Sequence, residues 1–357
     1  MDRESNTLGM LDLMVSPGFC VKDQRITKCN AGALGLLIRE GMDIMPMIAA
    51  GQAEYAEFNR GCLYLMLEVS GILIGASVSR VGDEDVFILD EESEQAELQA
   101  MALAARELRK PLTGIMAAAD RLFPMTALEQ DPALREQAAR INRGLYQMLR
   151  IIGNMSDAGR YTATAAPRLE TVEITSFMQE IFDRAGELIA SLDLTLHFEN
   201  LPHALYTLAD GEKLERAIMN ILSNTVKFTP AGGRIAAKLS RRGTRLYLTI
   251  QDNGEGIPEP IRGSIHRRYQ RQAAIEDSRY GIGLGMVLIR SAAASHGGAV
   301  LIDQPEGSGT RVTLTLAIRQ DTSGNVRSPL LRMDYAGERD HGLLELSESL
   351  PAELFEI

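Results

Sequence analysis

Between Leu98 and Leu122 the apolar residues Leu98, Met101, Ala105, Leu108, Leu112, Ile115, Ala119 and Leu122 advance by three and four in strict alternation. That spacing is the seam of a coiled coil. Pro111 falls inside it, which predicts a kink and the loss of one backbone hydrogen bond, worth about 3 kcal/mol unless compensated. Leu134, Ala138, Ile141, Leu145, Met148, Ile152 and Met155 repeat the pattern after a turn-like stretch from Phe123 to Pro132. Two such helices make a hairpin with a bare apolar stripe, and pairing two hairpins into a four-helix bundle is the simplest way to cover it. Full burial contributes at most about 1.5–3 kcal/mol per large seam residue, and less for the alanines. A homodimer built on this hairpin is expected.

The rest of the chain must supply the other domains. At 357 residues there is room for two or three, and 45% hydrophobic residues suffice for several cores. A net charge of −11 argues against a nucleic-acid partner, which would need a basic face. No apolar run reaches the length of a membrane span; Glu68 and Ser70 interrupt the best one, Cys62 to Val78. Asp2 and Glu4 near the start, with no basic and apolar leader, predict a cytoplasmic protein. Cys20, Cys29 and Cys62 have no Cys-x-x-Cys spacing and read as small residues of a reducing compartment.

Residues 1–91 read as one α+β domain. Gly18–Val21 and Ile26–Cys29 flank a Lys-Asp-Gln turn, Ala31–Ile38 has a helical pattern, and Cys62–Val69, Ile72–Val81 and Val86–Leu89 are strands. Residues 92–162 hold the hairpin, entered through the acidic Glu91–Glu97, which suits a helix N-terminus. The small residues from Thr162 to Pro167 read as a hinge. Residues 168–319 alternate helices and strands as an α/β sandwich does: helices at Ser176–Ala190, Glu212–Lys227 and Gly283–His296, strands at Leu194–Phe198, Leu205–Leu208, Arg234–Leu239, Arg245–Ile250, Ala299–Ile302 and Thr310–Ile318. The tail, 320–357, ends in Leu343, Leu344, Leu346, Leu350, Leu354 and Phe355, and packing back on the preceding domain is expected, with docking of a partner as the alternative.

The kinked helix carries Arg106-Glu107-Leu108-Arg109-Lys110-Pro111-Leu112. This resembles the dimerisation and phosphotransfer box of sensor histidine kinases, usually His-Glu-Leu-Arg-Thr-Pro-Leu. By that resemblance Arg106 replaces the phosphoacceptor histidine. Glu107 keeps the place of its proton-accepting neighbour, and Lys110 replaces the Thr or Asn that assists dephosphorylation of the partner. The order of elements in the first domain resembles a PAS sensor domain. With the first histidine at His197, no histidine there can bind haem.

Four further pieces together resemble the ATP-binding domain shared by histidine kinases, gyrase, Hsp90 and MutL. Asn220 and Asn224 share a helix face in Asn220-Ile-Leu-Ser-Asn224-Thr-Val-Lys227. The resemblance makes Asn224 the Mg2+ ligand, supported by Asn220, with Lys227 facing phosphate; a hard cation wants such oxygen ligands. Alone, two asparagines would be surface decoration. Asp252-Asn253-Gly254-Glu255-Gly256 follows an alternating strand. A carboxylate there can accept from the adenine amine, and Gly254 and Gly256 let the backbone approach the base; a plain turn is the blander reading. Gly281-Ile282-Gly283-Leu284-Gly285 opens a helix, where free amides suit phosphate. Before it lies an arginine-rich lid segment with Arg271, in which Ile265-His266-Arg267-Arg268-Tyr269 stands where the family has a phenylalanine-rich box. Thr310, after Gly307-Ser308-Gly309, takes the place of a threonine near the adenine pocket.

The expected architecture is therefore α+β and multidomain: a PAS-like domain, a dimerising helical hairpin, and an ATPase-type α/β sandwich. The related ATPases place a water-activating glutamate where this chain has Asn220, and an amide offers no basic lone pair. Histidine kinases need no such base, because the imidazole is the nucleophile. A guanidinium offers no lone pair in its place, and no histidine lies anywhere from residue 92 to 162. The expectation is a two-component sensor kinase homologue that binds Mg–ATP but does not autophosphorylate its own hairpin. It would pair with itself, with an active kinase as a heterodimer, or with a response regulator. The alternatives are transfer in trans to a partner's histidine, and a sensor scaffold without nucleotide.

Overall fold

The computed structural model describes residues 11, 14–160, 167–257, 283–305, 307–319 and 340–356. The chain enters through the hairpin β1 (Gly18–Lys22) and β2 (Arg25–Cys29), then α1 (Ala31–Gly35), β3 (Ile48–Ala50) and α2 (Gln52–Ala56). β4 (Cys62–Val69), β5 (Ile72–Val81) and β6 (Glu84–Leu89) follow. These strands pair antiparallel in the order β2-β1-β6-β5-β4, with β3 also on β4. Asp23 and Gln24 turn the first hairpin with positive φ, 51° and 62°. Phe19 stacks on Phe87 with ring centroids 4.9 Å apart, at the centre of a core that includes Leu63, Leu65 and Leu67. All three cysteines are buried and none forms a disulfide.

The hairpin is α3 (Glu92–Leu122) and α5 (Pro132–Arg160). α3 runs through Pro111 without ending. The expected turn between them contains a helix of its own, α4 (Met125–Gln130). The seam divides in two. Ala105, Leu112, Ala119, Leu145 and Ile152 are buried inside the hairpin. Leu108, Ile115, Leu122, Ile141 and Met148 remain exposed on the single chain, at 43–72%. No described helix is long and apolar enough to cross a membrane.

The sandwich begins with β7 (Glu170–Glu173) and α6 (Ile174–Ala190), whose first turn is capped by the Glu173 carboxylate accepting from the Thr175 and Ser176 amides. β8 (Thr195–Glu199), β9 (Tyr206–Ala209), α7 (Gly211–Phe228), β10 (Arg234–Arg242) and β11 (Arg245–Asp252) follow. α8 (Leu284–Ser295), β12 (Val300–Asp303) and β13 (Arg311–Ala317) complete it. The sheet order is β12-β13-β11-β10-β8, and β7 pairs β9 separately. β10 and β11 alternate buried and exposed residues, as a sheet covered by helices on one face requires. Two pieces were not legible beforehand: β3 with α2, and β7, whose alternation is too short to stand out. Residues 162–166 of the expected hinge, 258–280 of the expected lid and 320–339 of the tail lie outside the described residues.

The two sheets are one. β4 pairs antiparallel with β12, Tyr64 with Val300, Leu63 with Leu301 and Cys62 with Ile302. Each sheet thereby covers an edge that would otherwise present unpaired backbone groups. Side chains cross with it: Tyr64 and Met66 belong to the sandwich core, and Ala299 to the N-terminal core. Glu54 pairs with Arg245 at 3.1 Å across the same boundary. Gly61 makes the approach possible. Its φ is 86°, and a Cβ there would lie 2.3 Å from the Ile302 carbonyl oxygen. Gly61→Ala is expected to weaken the junction by about 1–3 kcal/mol, the cost of a strained backbone position. Amide exchange read at Leu63 and Leu301 should then accelerate while Leu248, inside the sandwich sheet, stays protected.

Candidate functional site

The site gathers where α7 ends, β11 ends and α8 begins. α7 starts under an Asp210 cap that accepts from the Lys213 amide. Its residues 213–223 are all buried, because one face lies on the sheet and the other on the hairpin. Asn220 is among them, 2% exposed, donating its amide to the Arg216 carbonyl at 2.8 Å. Its Oδ1 faces Gly285, where a Cβ would come within 2.7 Å. Asn224, one turn on, is exposed. Of the two asparagines, then, Asn224 is the one whose carboxamide reaches solvent, and Asn220 joins α7 to α8.

Asp252 closes β11 and is buried. Its Oδ1 accepts from the Gly254 amide at 2.9 Å and the Thr310 amide at 3.0 Å. Burial pushes its carboxyl up, against those two amides, which favour the charged form. The turn has no room for side chains. A Cβ on Gly254 would lie 2.1 Å from the Phe228 carbonyl oxygen, and one on Gly309 2.0 Å from that of Asp252. Gly256 has φ 77° and lies against Gln304 and Gly309. Asp252, Gly254, Gly256 and Thr310 are therefore in one place, at the C-terminal end of α7.

Gly283 is the N-cap of α8, with φ 78° and no side chain capping the helix. Leu284 points away from solvent into a cluster with Leu98, Ala158, Val287 and Leu288, so the first turn of α8 is docked on the hairpin. Gly281 and Arg271 lie outside the described residues. Arg106, Glu107 and Lys110 are exposed on α3. Arg106 is eight residues beyond Leu98, roughly 12 Å along the helix from the docked segment.

Lys227 is only partly exposed. Its ammonium pairs with the Glu348 carboxylate, which comes from the C-terminal segment. Burial, with Arg150 alongside, pulls that ammonium down to about 8, and the facing carboxylate works in the opposite direction.

Three ionic clusters hold this lobe to its neighbours, and the sequence did not announce them. Arg216 pairs with Asp157, donates to Asn154 Oδ1 at 2.7 Å and has the Glu345 carboxylate at 3.6 Å, all buried. Arg150 meets Glu345 at 3.2 Å and donates to the Ser223 hydroxyl at 2.9 Å. Arg290, on α8, donates to Asp90 and Glu94, each at 3.1 Å, and lies over the Tyr64 ring. Those carboxylates hold its guanidinium charged against the cost of burial. On helices drawn alone, Arg216 and Arg290 sit on faces that look solvated. Only the docking of a second domain makes them interior.

Residues 209–320 match the HATPase_c family, the histidine kinase-, DNA gyrase B-, and HSP90-like ATPases. Residues 96–164 match HisKA, the His Kinase A (phospho-acceptor) domain. The chain is 28% identical over 269 residues to the adaptive-response sensory kinase SasA of Synechocystis sp., covering 70% of this chain and 68% of that protein. It is 27% identical over 239 residues to the sensor histidine kinase WalK of Bacillus subtilis, covering 65% and 38%. To the sensor-like histidine kinase SenX3 of Mycolicibacterium smegmatis it is 25% identical over 259 residues, covering 69% and 66%. The matches thus span between 38% and 68% of these relatives' length. Among solved structures, the mycobacterial sensor histidine kinase MprB is 26% identical with a TM-score of 0.35, covering 43% of this chain and 99% of that one. With HisKA matched over the hairpin and HATPase_c over the sandwich, the chain carries the two domains of a sensor histidine kinase.

Proposed function

We propose that this chain is a dimeric two-component sensor that binds Mg–ATP and does not phosphorylate its own hairpin. The observation that carries the reading is the pairing of Asp252, its glycine turn, Asn224 and the uncapped start of α8 with Arg106 at the acceptor position. Asp252 offers a buried carboxylate where an adenine amine would donate, and Gly254, Gly256 and Gly309 keep that turn free of side chains. The uncapped start of α8 offers amides to phosphate. Asn224 offers the exposed oxygen that a hydrated Mg2+ takes, and Asn220 braces the helix that carries it. Thus the residues present fit the nucleotide and its cation. Bound ATP supplies the γ-phosphoryl group; the chain's own part is to hold it, and the hairpin offers it no nucleophile. Glu107 keeps its carboxylate beside a guanidinium.

The exposed half of the seam, Leu108, Ile115, Leu122, Ile141 and Met148, supports a second copy as the resting partner. The strand order β2-β1-β6-β5-β4 supports a PAS-like reading of residues 1–91. A response regulator or an active kinase is the downstream partner class, and the cell interior is the expected location.

Asp252→Ala is expected to weaken Mg–ATP binding about 10- to 100-fold, the range for losing one hydrogen bond to a charged group. Calorimetry on the variant reads this, with circular dichroism confirming the fold. Unaltered affinity would remove the adenine role. Incubation of the wild type with γ-labelled ATP should leave no acid-labile phosphate on the chain. Label appearing on an added histidine-bearing partner bundle would convert the reading to transfer in trans.

A further inference from the structure

The C-terminal segment is built into the ATP lobe and the hairpin at once. α9 (His341–Leu346) is capped by Asp340, which accepts from the Leu343 amide. Leu344, Leu346, Leu350 and Phe355 are all buried. Leu346, Leu350 and Phe355 join the sandwich core, and Phe355 also meets Tyr146 of the hairpin edge-on with centroids 5.1 Å apart. α5 holds the backbone between them. Arg143 donates to the carbonyls of Ser347 at 3.2 Å and Glu348 at 2.9 Å. Gln147 donates to Ser347 at 3.1 Å and Asn142 to the Phe355 carbonyl at 3.1 Å.

These anchors fix where Glu348 can go. Its carboxylate meets Arg150 at 3.1 Å and pairs with Lys227. We infer that the segment His341–Phe355 is an autoinhibitory strap, which clamps the ATP lobe to the hairpin and sets a carboxylate on the lysine that a nucleotide phosphate would otherwise occupy. This rests on the Mg–ATP reading above. Two anionic groups compete for one cation, so nucleotide binding and strap seating oppose each other, and the opposition is reciprocal: a seated strap weakens ATP, and bound ATP loosens the strap. Release of the strap would also remove one link between α7 and α5, because Glu345 stands between Arg150 and Arg216, one on each helix; the direct Arg216–Asp157 and Arg150–Ser223 contacts would remain.

The test is nucleotide affinity of the full chain, measured with Mg–ATP and separately with adenosine. Glu348→Gln keeps the shape and removes the charge. It is expected to tighten Mg–ATP about 5- to 10-fold, at the low end of common coupling between sites, and to leave adenosine unchanged, since only phosphate competes. Arg143→Ala removes the backbone anchor without touching Lys227. It should tighten Mg–ATP in the same direction, and both variants should raise protease cleavage within 341–355. Equal Mg–ATP affinity in wild type and Glu348→Gln overturns the strap, as does a change shared by adenosine, which would mark a general disturbance. If neither folded protein binds Mg–ATP at all, the nucleotide reading fails first and the strap falls with it.

Discussion

Arg106→His should create an autokinase. The wild-type hairpin presents a guanidinium, which has no lone pair for the γ-phosphorus. An imidazole there supplies the nucleophile, with Glu107 one residue on to orient it and take its proton. What remains is positioning and charge neutralisation, which the ATP lobe supplies. The expected gain over the wild-type background is at least about 100-fold, the low end of what one positioned proton-transferring group contributes. The measurement is acid-labile, base-stable label from γ-labelled ATP. Arg106 is exposed, so the exchange disturbs no core. The double variant with Glu348→Gln should label faster than Arg106→His alone, because the docked lobe must leave its seat to reach residue 106. No label in either, with Mg–ATP bound, would mean that the hairpin has lost more than its acceptor.

Arg216→Leu should cost the most stability of any single change. The Arg216 side chain is 3% exposed and Asp157 5%. Deleting the guanidinium leaves Asp157 buried without that partner and Glu345 with Arg150 as its counter-charge. Breaking a buried pair from one side costs about 3–5 kcal/mol, whereas replacing both members by apolar groups is often close to neutral. Arg216→Leu with Asp157→Leu should therefore recover most of the loss. Calorimetric unfolding resolves this, and it should do so in the transition of the ATP lobe, since a chain of several domains need not unfold in one step. Equal losses in single and double variants would assign the effect to packing.

Much of the architecture was legible because its signals are local. The three–four alternation gives the hairpin, the two-residue alternation of Leu246, Leu248 and Ile250 gives β11, and glycines mark turns that the fold confirms are closed to any side chain at 254 and 309. Within the candidate site, Asp252, Gly254, Gly256 and Thr310 come together, as the resemblance to the ATP-binding domain led one to expect. The illegible part is non-local. Nothing at Cys62 or Ile302 says that they pair across 240 positions of chain. Nothing at Glu348 says that it meets Lys227, because each is an ordinary charged residue until the tail is seated. The sequence also did not say how Asn220, expected in support of Asn224, is held: it bonds back to its own helix under Gly285, a consequence of how closely α7 and α8 approach.

The continuous sheet has a mechanical corollary. Cys62 lies opposite Ile302, Ile302 opposite Val312, and Val312 opposite Ile250, a single rung four strands wide. At roughly 4.8 Å per step the rung is about 14 Å long, and it ends two residues short of Asp252. A sheet is stiff across its hydrogen-bonded strands, so a shift of the first lobe is passed toward Asp252 as displacement, with no helix needed to relay it. Equally, the ATP lobe cannot swing toward residue 106 independently of the first lobe while β12 stays paired with β4.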